Sequence, residues 1–305
     1  MVDKKFNSIV ELLTTFPTEQ SCIDHLEKIR WEGSIISPFD SSSKVYRCGN
    51  NRYKCKNTGK YFNVKTNTIF ENTKVPLVKW FIASYLDTAH KKGISSLQLS
   101  RDIGVTQKTA WFMLQRIRKC FEDNKDEKLD GVVEIDETFV GGKNKNRHWD
   151  KKVPKCQGRS YKDKTPVFGI LQRNGKVIAK VVPNTQVKTL RPLIKKYIEK
   201  GSVINTDDWY YGNLHEEYIH RQVNHKAKVY AVGDVYTNTL EGFWSIFKRG
   251  MTGIYNHVSR KHMQLYVDEF AFRYNTRKCS QSERFNLFLQ NTNNRRLRYK
   301  DLIAS

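Results

Sequence analysis

The chain has 305 residues, and 54 Lys and Arg against 31 Asp and Glu leave a formal charge of +23. With 38% apolar and 12% aromatic residues it is too rich in core-forming side chains for a disordered polycation, and its length suits two or three domains. No apolar run nears the roughly 20 residues of a membrane span and the start is polar, so a soluble cytoplasmic protein with a nucleic-acid partner is expected.

Residues 7–31 read as one or two short helices, with Ile9, Leu12 and Leu13 recurring helically and Thr18 placed to cap a segment whose apolar face is Cys22, Leu26 and Ile29. Residues 33–70 change character. Short β-like runs (KVYRC, NRYKC, KYFNV) alternate with turn residues at Gly49-Asn50-Asn51 and Asn57-Thr58-Gly59, the pattern of a small antiparallel module. From Pro76 to Phe121 the periodicity is helical again. In SSLQLSRDIGVTQKTAWFML, Gly104 suits a tight turn, and Leu99, Ile103, Val105, Ala110 and Met113 fall where a helix-turn-helix places its inward residues. An ordinary helical hairpin gives the same spacing. In the first reading Gln107 and Lys108 meet DNA at the start of the second helix, with Arg116, Arg118 and Lys119 further along.

The charged stretch 122–128 reads as a linker, and an α/β pattern follows. GVVEIDETFV is a strand. VFGILQ and KVIAKVV flank Arg173-Asn174-Gly175, a strong hairpin signal. A helix with Leu190, Ile194, Tyr197 and Ile198 runs to Gly201, and SVINTD is a further strand. Between the first strand and the hairpin, Lys143 to Lys164 holds nine Lys/Arg against two Asp, which reads as a mobile basic loop with Lys151 and Lys152 on DNA phosphates. The six cysteines form no Cys-x-x-Cys pair, so reduced thiols are expected.

Two acids stand where strands run, Asp136 in VVEIDETFV and Asp207 at the end of SVINTD. A third, Glu241, opens the helix NTLEGFWSIFKRG, whose buried side is Phe243, Trp244 and Phe247. Ionised groups on half-buried strands are costly unless something binds them. Three carboxylates from two strands and a helix can hold two divalent cations for phosphodiester chemistry, and oxygen ligands favour Mg²⁺ or Mn²⁺. A capped strand end or surface ion pair is the plainer reading of any single acid. Glu137 and Asp208 point the other way along an ideal strand and are weaker candidates.

The segments IDETFVGGK, NTDDWYYGNL and TNTLEGFWSIFKRGMTGIYNHVSRKHMQLYVDEFAFRYNTR, with KGISSLQLSRDIGVTQKTAWFMLQRIR and TIFENTKVPLVKWFIA before them, resemble the DDE-type insertion-sequence transposases of the ISXO-like family over roughly residues 18–285. The resemblance implies an α/β ribonuclease H-like catalytic domain over 129–285. Before it come N-terminal helices (1–32), a degenerate zinc-ribbon-like module (33–72) and a helix-turn-helix region (73–121), and a basic tail (286–305) follows.

Carried over by motif, Asp136, Asp207 and Glu241 are the catalytic metal ligands. Asn238, one turn before Glu241, is a secondary candidate because some members have Asn as the third residue. Lys248 and Arg249 would contact DNA. The resemblance further implies cleavage of terminal inverted repeats and transfer into target DNA, two Mg²⁺ ions, a homodimer or higher oligomer on DNA, and a cytoplasmic, nucleoid-associated setting.

One departure concerns the small module. Relatives carry two Cys-x-x-Cys pairs where this chain has Ser37-Pro38-Phe39-Asp40 and Cys55-Lys56-Asn57-Thr58, so no structural zinc is expected and aromatics such as Tyr46, Tyr53, Tyr61 and Phe62 should hold the module instead. His215, His220, His225, His257 and His262 read as surface or hydrogen-bonded groups, and no essential histidine is inferred where Tyr236 stands. The other-class reading, a regulator with a retired catalytic fold, predicts loss of one acid, and all three are present. A repair-type nuclease would not need the helix-turn-helix.

Overall fold

The computed structural model describes residues 4–122, 127–142, 144–154, 156, 160–207, 211, 214–223 and 233–304. Two compact units result, one from Met1–Phe121 with Lys278–Ser305, the other from Glu122–Arg277. In the first, helices α1 (Ile9–Thr15) and α2 (Glu19–Trp31) start at hydroxyl caps. Ser8 accepts from the Glu11 N–H, and Thr18 forms a reciprocal box with Ser21.

Strands β1 (Val45–Cys48), β2 (Arg52–Cys55) and β3 (Tyr61–Phe62) then form an antiparallel meander. Its first turn uses Asn50 and Asn51 at φ of 58° and 55°, a left-handed conformation that asparagine tolerates. The buried face carries Tyr53 and Phe62 against Trp31. Tyr46 and Tyr61 correct the expectation that they join this core. Tyr46 pairs with Lys54 and Lys54 with Tyr61, so strand alternation turns both rings outward, where they are exposed.

Helix α3 (Leu77–Ala89) is followed by α4 (Ser96–Ile103) and α5 (Gln107–Lys119). Gly104 ends α4 in the left-handed conformation, and the Thr106 hydroxyl caps α5. Leu99, Ile103, Ala110 and Met113 are buried between these helices and their neighbours, and Val105 is half-buried.

The second unit is built on a five-stranded sheet. Its strands are β4 (Val132–Val140), β5 (Thr165–Gln172), β6 (Val177–Val181), β7 (Val203–Thr206) and β8 (Ile219–Gln222), with α6 (Val187–Tyr197) between β6 and β7. The spatial order is β6-β5-β4-β7-β8; β5 runs antiparallel to both its neighbours, β4 and β6, while β7 and β8 run parallel to β4. Asn174, at φ 58°, turns the β5–β6 hairpin.

Both faces of the sheet are covered. Val133, Ile135, Phe168 and Ile170 pack against Leu190 and Ile194 of α6. On the other face Val167, Leu171 and Ala179 meet α7 (Asn238–Gly250) through Leu240, Phe243, Trp244 and Phe247, and α8 (Met263–Asn275) through Tyr266 and Phe270. A five-residue π-helical turn, Met251–Tyr255, follows α7.

Helix α9 (Gln281–Gln290) and the short α10 (Tyr299–Ile303) belong to the first unit. A Ser280–Glu283 capping box starts α9, and Phe285 packs among Phe6, Phe16 and Phe81. The boundary the sequence suggests at 285, with a basic tail beyond, therefore shifts: residues 278–305 fold with the N-terminal unit because α9 supplies it with buried aromatic side chains.

Candidate active site

Strand pairing brings the two strand acids together. In the parallel register of β4 and β7, Ile135 lies opposite Thr206, so Asp136 and Asp207 are neighbours one step further on, across a strand spacing of about 4.8 Å. Alternation along β4 sends Glu134 and Asp136 to the α7 side of the sheet and Glu137 to the opposite side. There the Tyr211 hydroxyl lies beside Glu137; burial first, then the charges of Glu137, Asp136 and Asp207, raise that phenol well above its ordinary range.

Glu241 sits in the first turn of α7, solvent-exposed, with Asn238 three residues earlier on the same side of the helix. The acids sense one another. Asp136 is pushed up to about 8, first by burial, then by the negative charges of Asp207 and Glu137 and, more weakly, Glu241. Asp208 lies outside the described residues, as does His225.

Two features hold α7 against this strand, and neither is singled out by the sequence reading. The first is a buried clamp. Glu134 is fully buried, and its carboxylate accepts from Arg173 Nε at 3.0 Å, the Thr239 hydroxyl at 2.9 Å and the Leu240 backbone N–H at 2.9 Å.

The Thr237 side chain makes no capping bond, so a carboxylate from the neighbouring strand satisfies the helix start instead and suits the positive end of its dipole. All three nitrogens of the Arg173 guanidinium are engaged. Its other nitrogens donate to the carbonyls of Asp234 and Tyr236, and it lies 3.6 Å from the Tyr236 ring centroid.

The second feature is Gly169, opposite Asp136 in the β4–β5 register. A Cβ there would stand 2.4 Å from Trp244 Cζ2 and 3.1 Å from Leu240 Cδ1, so only glycine lets the α7 side chains come this close to the sheet. A glycine inside the apolar run VFGILQ was the available signal. For Glu134 none existed beyond an acid two residues before Asp136.

Among the described residues, no three His, Cys, Asp or Glu side chains are gathered tightly enough to hold a metal ion. The donor set nonetheless fits a hard divalent cation. Carboxylates crowd at Asp136, and their mutual repulsion is what a cation would relieve.

In the small module the buried Cys55 has hydroxyls for company. Burial works to raise its thiol, but hydrogen bonds with Ser37, Ser43 and Thr58 outweigh this and bring it down to about 6.

The DNA-facing candidates divide. Lys248 and Arg249 are exposed in the last turn of α7, and Lys151 and Lys152 are exposed between β4 and β5. Gln107 is exposed at the start of α5 and bonded to Ser96, while the exposed Lys108 lies over the Tyr299 ring.

Arg116 is a correction. It is buried, stacks on Phe112, and donates to the carbonyls of Leu297 at 3.0 Å and Ile69 at 2.7 Å, so it braces the first unit and is not presented to DNA. Two of the basic C-terminal residues are likewise engaged. Arg298 makes a two-pronged pair with Asp301, and Arg296 pairs with Glu71.

Residues 128–275 match the model of the ISXO2-like transposase domain. The chain is 30% identical over 276 residues, 86% of its length and 92% of the relative's, to an uncharacterized protein in transposable element ISH50 of Halobacterium salinarum. It is also 31% identical over 102 residues, 33% of this chain and 81% of the relative, to an uncharacterized transposase-like protein of Haemophilus influenzae. Among solved structures, a chain in the cryo-EM structure of the simian T-cell lymphotropic virus intasome with PP2A regulatory subunit B56 gamma aligns at 12% identity over 62% of this chain and 68% of that chain. Its TM-score of 0.29 is too low to bear on the fold.

Proposed function

Because this chain belongs to the ISXO2-like insertion-sequence transposases, we propose that it is a DNA transposase that cuts phosphodiesters at the ends of its element and joins the freed 3′ hydroxyls to target DNA. The observation that carries the reading is the meeting of Asp136 with Asp207 on adjacent parallel strands, with Glu241 close enough to add to the charge at Asp136. The sheet order, an antiparallel meander followed by a helix and parallel strands, supports a ribonuclease H-like core. None of the described helices is long and apolar enough to cross a membrane.

Asp136, Asp207 and Glu241 are the residues that would hold two Mg²⁺ or Mn²⁺ ions, with Asn238 as a secondary ligand. When bound, such ions activate the attacking oxygen and stabilise the leaving one. The protein's own part is to set the ligands. Glu134, Arg173 and Gly169 fix the first turn of α7 beside β4. Lys248 and Arg249, exposed on the same helix, would meet phosphates near the scissile bond.

In the first unit, α4 and α5 act as a helix-turn-helix that presents Gln107 and Lys108 to base edges of the terminal repeats. The small sheet is its companion module and works without zinc. Two ends processed in one event need at least two active sites, so the working form is a dimer or larger assembly on DNA, in the cytoplasm with the nucleoid.

The test is to incubate the full chain with DNA carrying the element's own ends and Mg²⁺, beside random DNA and beside chelator. Nicks at the ends and joined products with Mg²⁺ alone support the reading. Binding of the ends with no cleavage in Mg²⁺ or Mn²⁺ would leave a DNA-binding regulator in its place.

A further inference from the structure

The segment between β4 and β5 holds a feature that phosphate binding does not explain. Trp149 is 87% exposed, the most exposed of the large hydrophobic side chains among the described residues. A single exposed ring is ordinary on a protein surface; what sets this one apart is the braced, strongly basic lobe that carries it.

The sequence suggests a loop of charge with little fixed geometry, but the described part of it is built. Asn144 closes residues 144–153 into a small lobe, its side-chain amide donating to the Val153 carbonyl at 2.9 Å while its oxygen accepts the Val153 N–H at 3.0 Å. Arg147 donates to the Asp163 carbonyl at 3.0 Å. Arg260, just before α8, donates to the carbonyls of Tyr161 and Lys164, tying the returning limb down. Within the lobe, Trp149–Lys151 forms a 3₁₀ turn, so the indole stands on a braced tip.

The chemistry around the ring selects its partner. Lys145, Arg147, Lys151 and Lys152 lie within the closed lobe, and Asp150 is its one acid. Flat aromatic surface among cations suits a nucleic-acid strand, whose bases offer π faces and whose phosphates offer charge. Duplex DNA hides its base faces within the stack and leaves such a ring nothing flat to cover, whereas an unpaired base offers one.

Building on the transposase reading above, we propose that Trp149 stacks on an unpaired base of a DNA strand handled by the catalytic unit, with Lys151 and Lys152 on the flanking phosphates.

Binding of the full chain to a short single-stranded oligonucleotide and to a duplex of the same sequence tests this. Trp149→Ala should lose roughly ten-fold in single-strand affinity, the size of one base–aromatic stack, with duplex affinity nearly unchanged. Trp149→Phe should retain most of the single-strand affinity. The emission that distinguishes wild type from Trp149→Phe should be quenched by the single strand. Lys151→Ala with Lys152→Ala should weaken both DNAs and flatten the salt dependence.

Equal affinity of Trp149→Ala and wild type for the single strand overturns the proposal, as does an equal loss on both DNAs. So does a changed sedimentation of Trp149→Ala without any DNA effect, which would make the ring a contact between protein copies. If wild type cleaves element ends while Trp149→Ala binds normally, only this inference fails. If wild type binds no DNA at all, the transposase reading fails with it.

Discussion

Replacing Glu134 by alanine removes the group to which three donors from the β5–β6 turn and the start of α7 converge. The Arg173 side chain is only 16% exposed, so it would stay largely buried with its charge uncompensated. Breaking one side of such a pair costs about 3–5 kcal/mol, and the lost helix cap lies within that figure.

For a unit of this size each kcal/mol lowers the unfolding midpoint by about 2–4 °C, so a 3 kcal/mol loss is a drop of about 6–12 °C by circular dichroism. The double variant with Arg173→Ala should be less damaging than the sum of the singles, with a coupling of about 1–3 kcal/mol, because removing both charges leaves none stranded. Additive effects, or a drop of under about 2 °C for Glu134→Ala, would show that this carboxylate does not hold α7 to the sheet.

Asp136 stays protonated up to about pH 8 in the folded protein but ionises near 4 when unfolded, so stability should fall as pH rises between those values. Asp136→Asn should be more stable than wild type at pH 8, by about 2 kcal/mol after allowance for solvent access, with the gap closing at pH 4; a constant gap contradicts the charge crowding. Gly169→Ala should cost about 1–3 kcal/mol and cut DNA cleavage while leaving end binding intact, since its Cβ meets Trp244 at 2.4 Å; unchanged cleavage would mean α7 accommodates the methyl freely. Elemental analysis of the purified chain should find no stoichiometric zinc, and chelator should leave the small sheet folded; one zinc per chain would require ligands beyond Cys55.

Much of the second unit is legible locally. Asn174-Gly175 between two apolar runs marks the hairpin, and the alternation around Asp136 marks β4, because each signal depends only on neighbours in sequence. β8 escapes notice because its four residues, Ile219–Gln222, carry no strong β pattern and owe their strand to pairing with β7.

The partner of Glu134 lies 39 residues away across a strand and a basic loop, a distance over which sequence periodicity says nothing. Arg116 misleads for the same reason. On α5 alone it looks like one of several cations offered to DNA, and only the distant carbonyls of Ile69 and Leu297 reveal its structural task. The Ser280–Glu283 box and Phe285, Phe288 and Leu289 of α9 carry a helical signal that the reading of a basic tail from 286 passes over, and nothing local says that this helix folds with the N-terminal unit.

The central claim is that Asp136, Asp207 and Glu241 form the cleaving centre while basic surface elsewhere supplies affinity. Its most direct test is cleavage of element ends in Mg²⁺ by Asp136→Ala, Asp207→Ala and Glu241→Ala, with Asn238→Ala alongside and end binding measured on the same preparations. Each of the three acid variants should bind the ends nearly as wild type does and cut none of them. Full cleavage by any acid variant removes that residue from the site, and an inactive Asn238→Ala beside an active Glu241→Ala would transfer the third role to the asparagine.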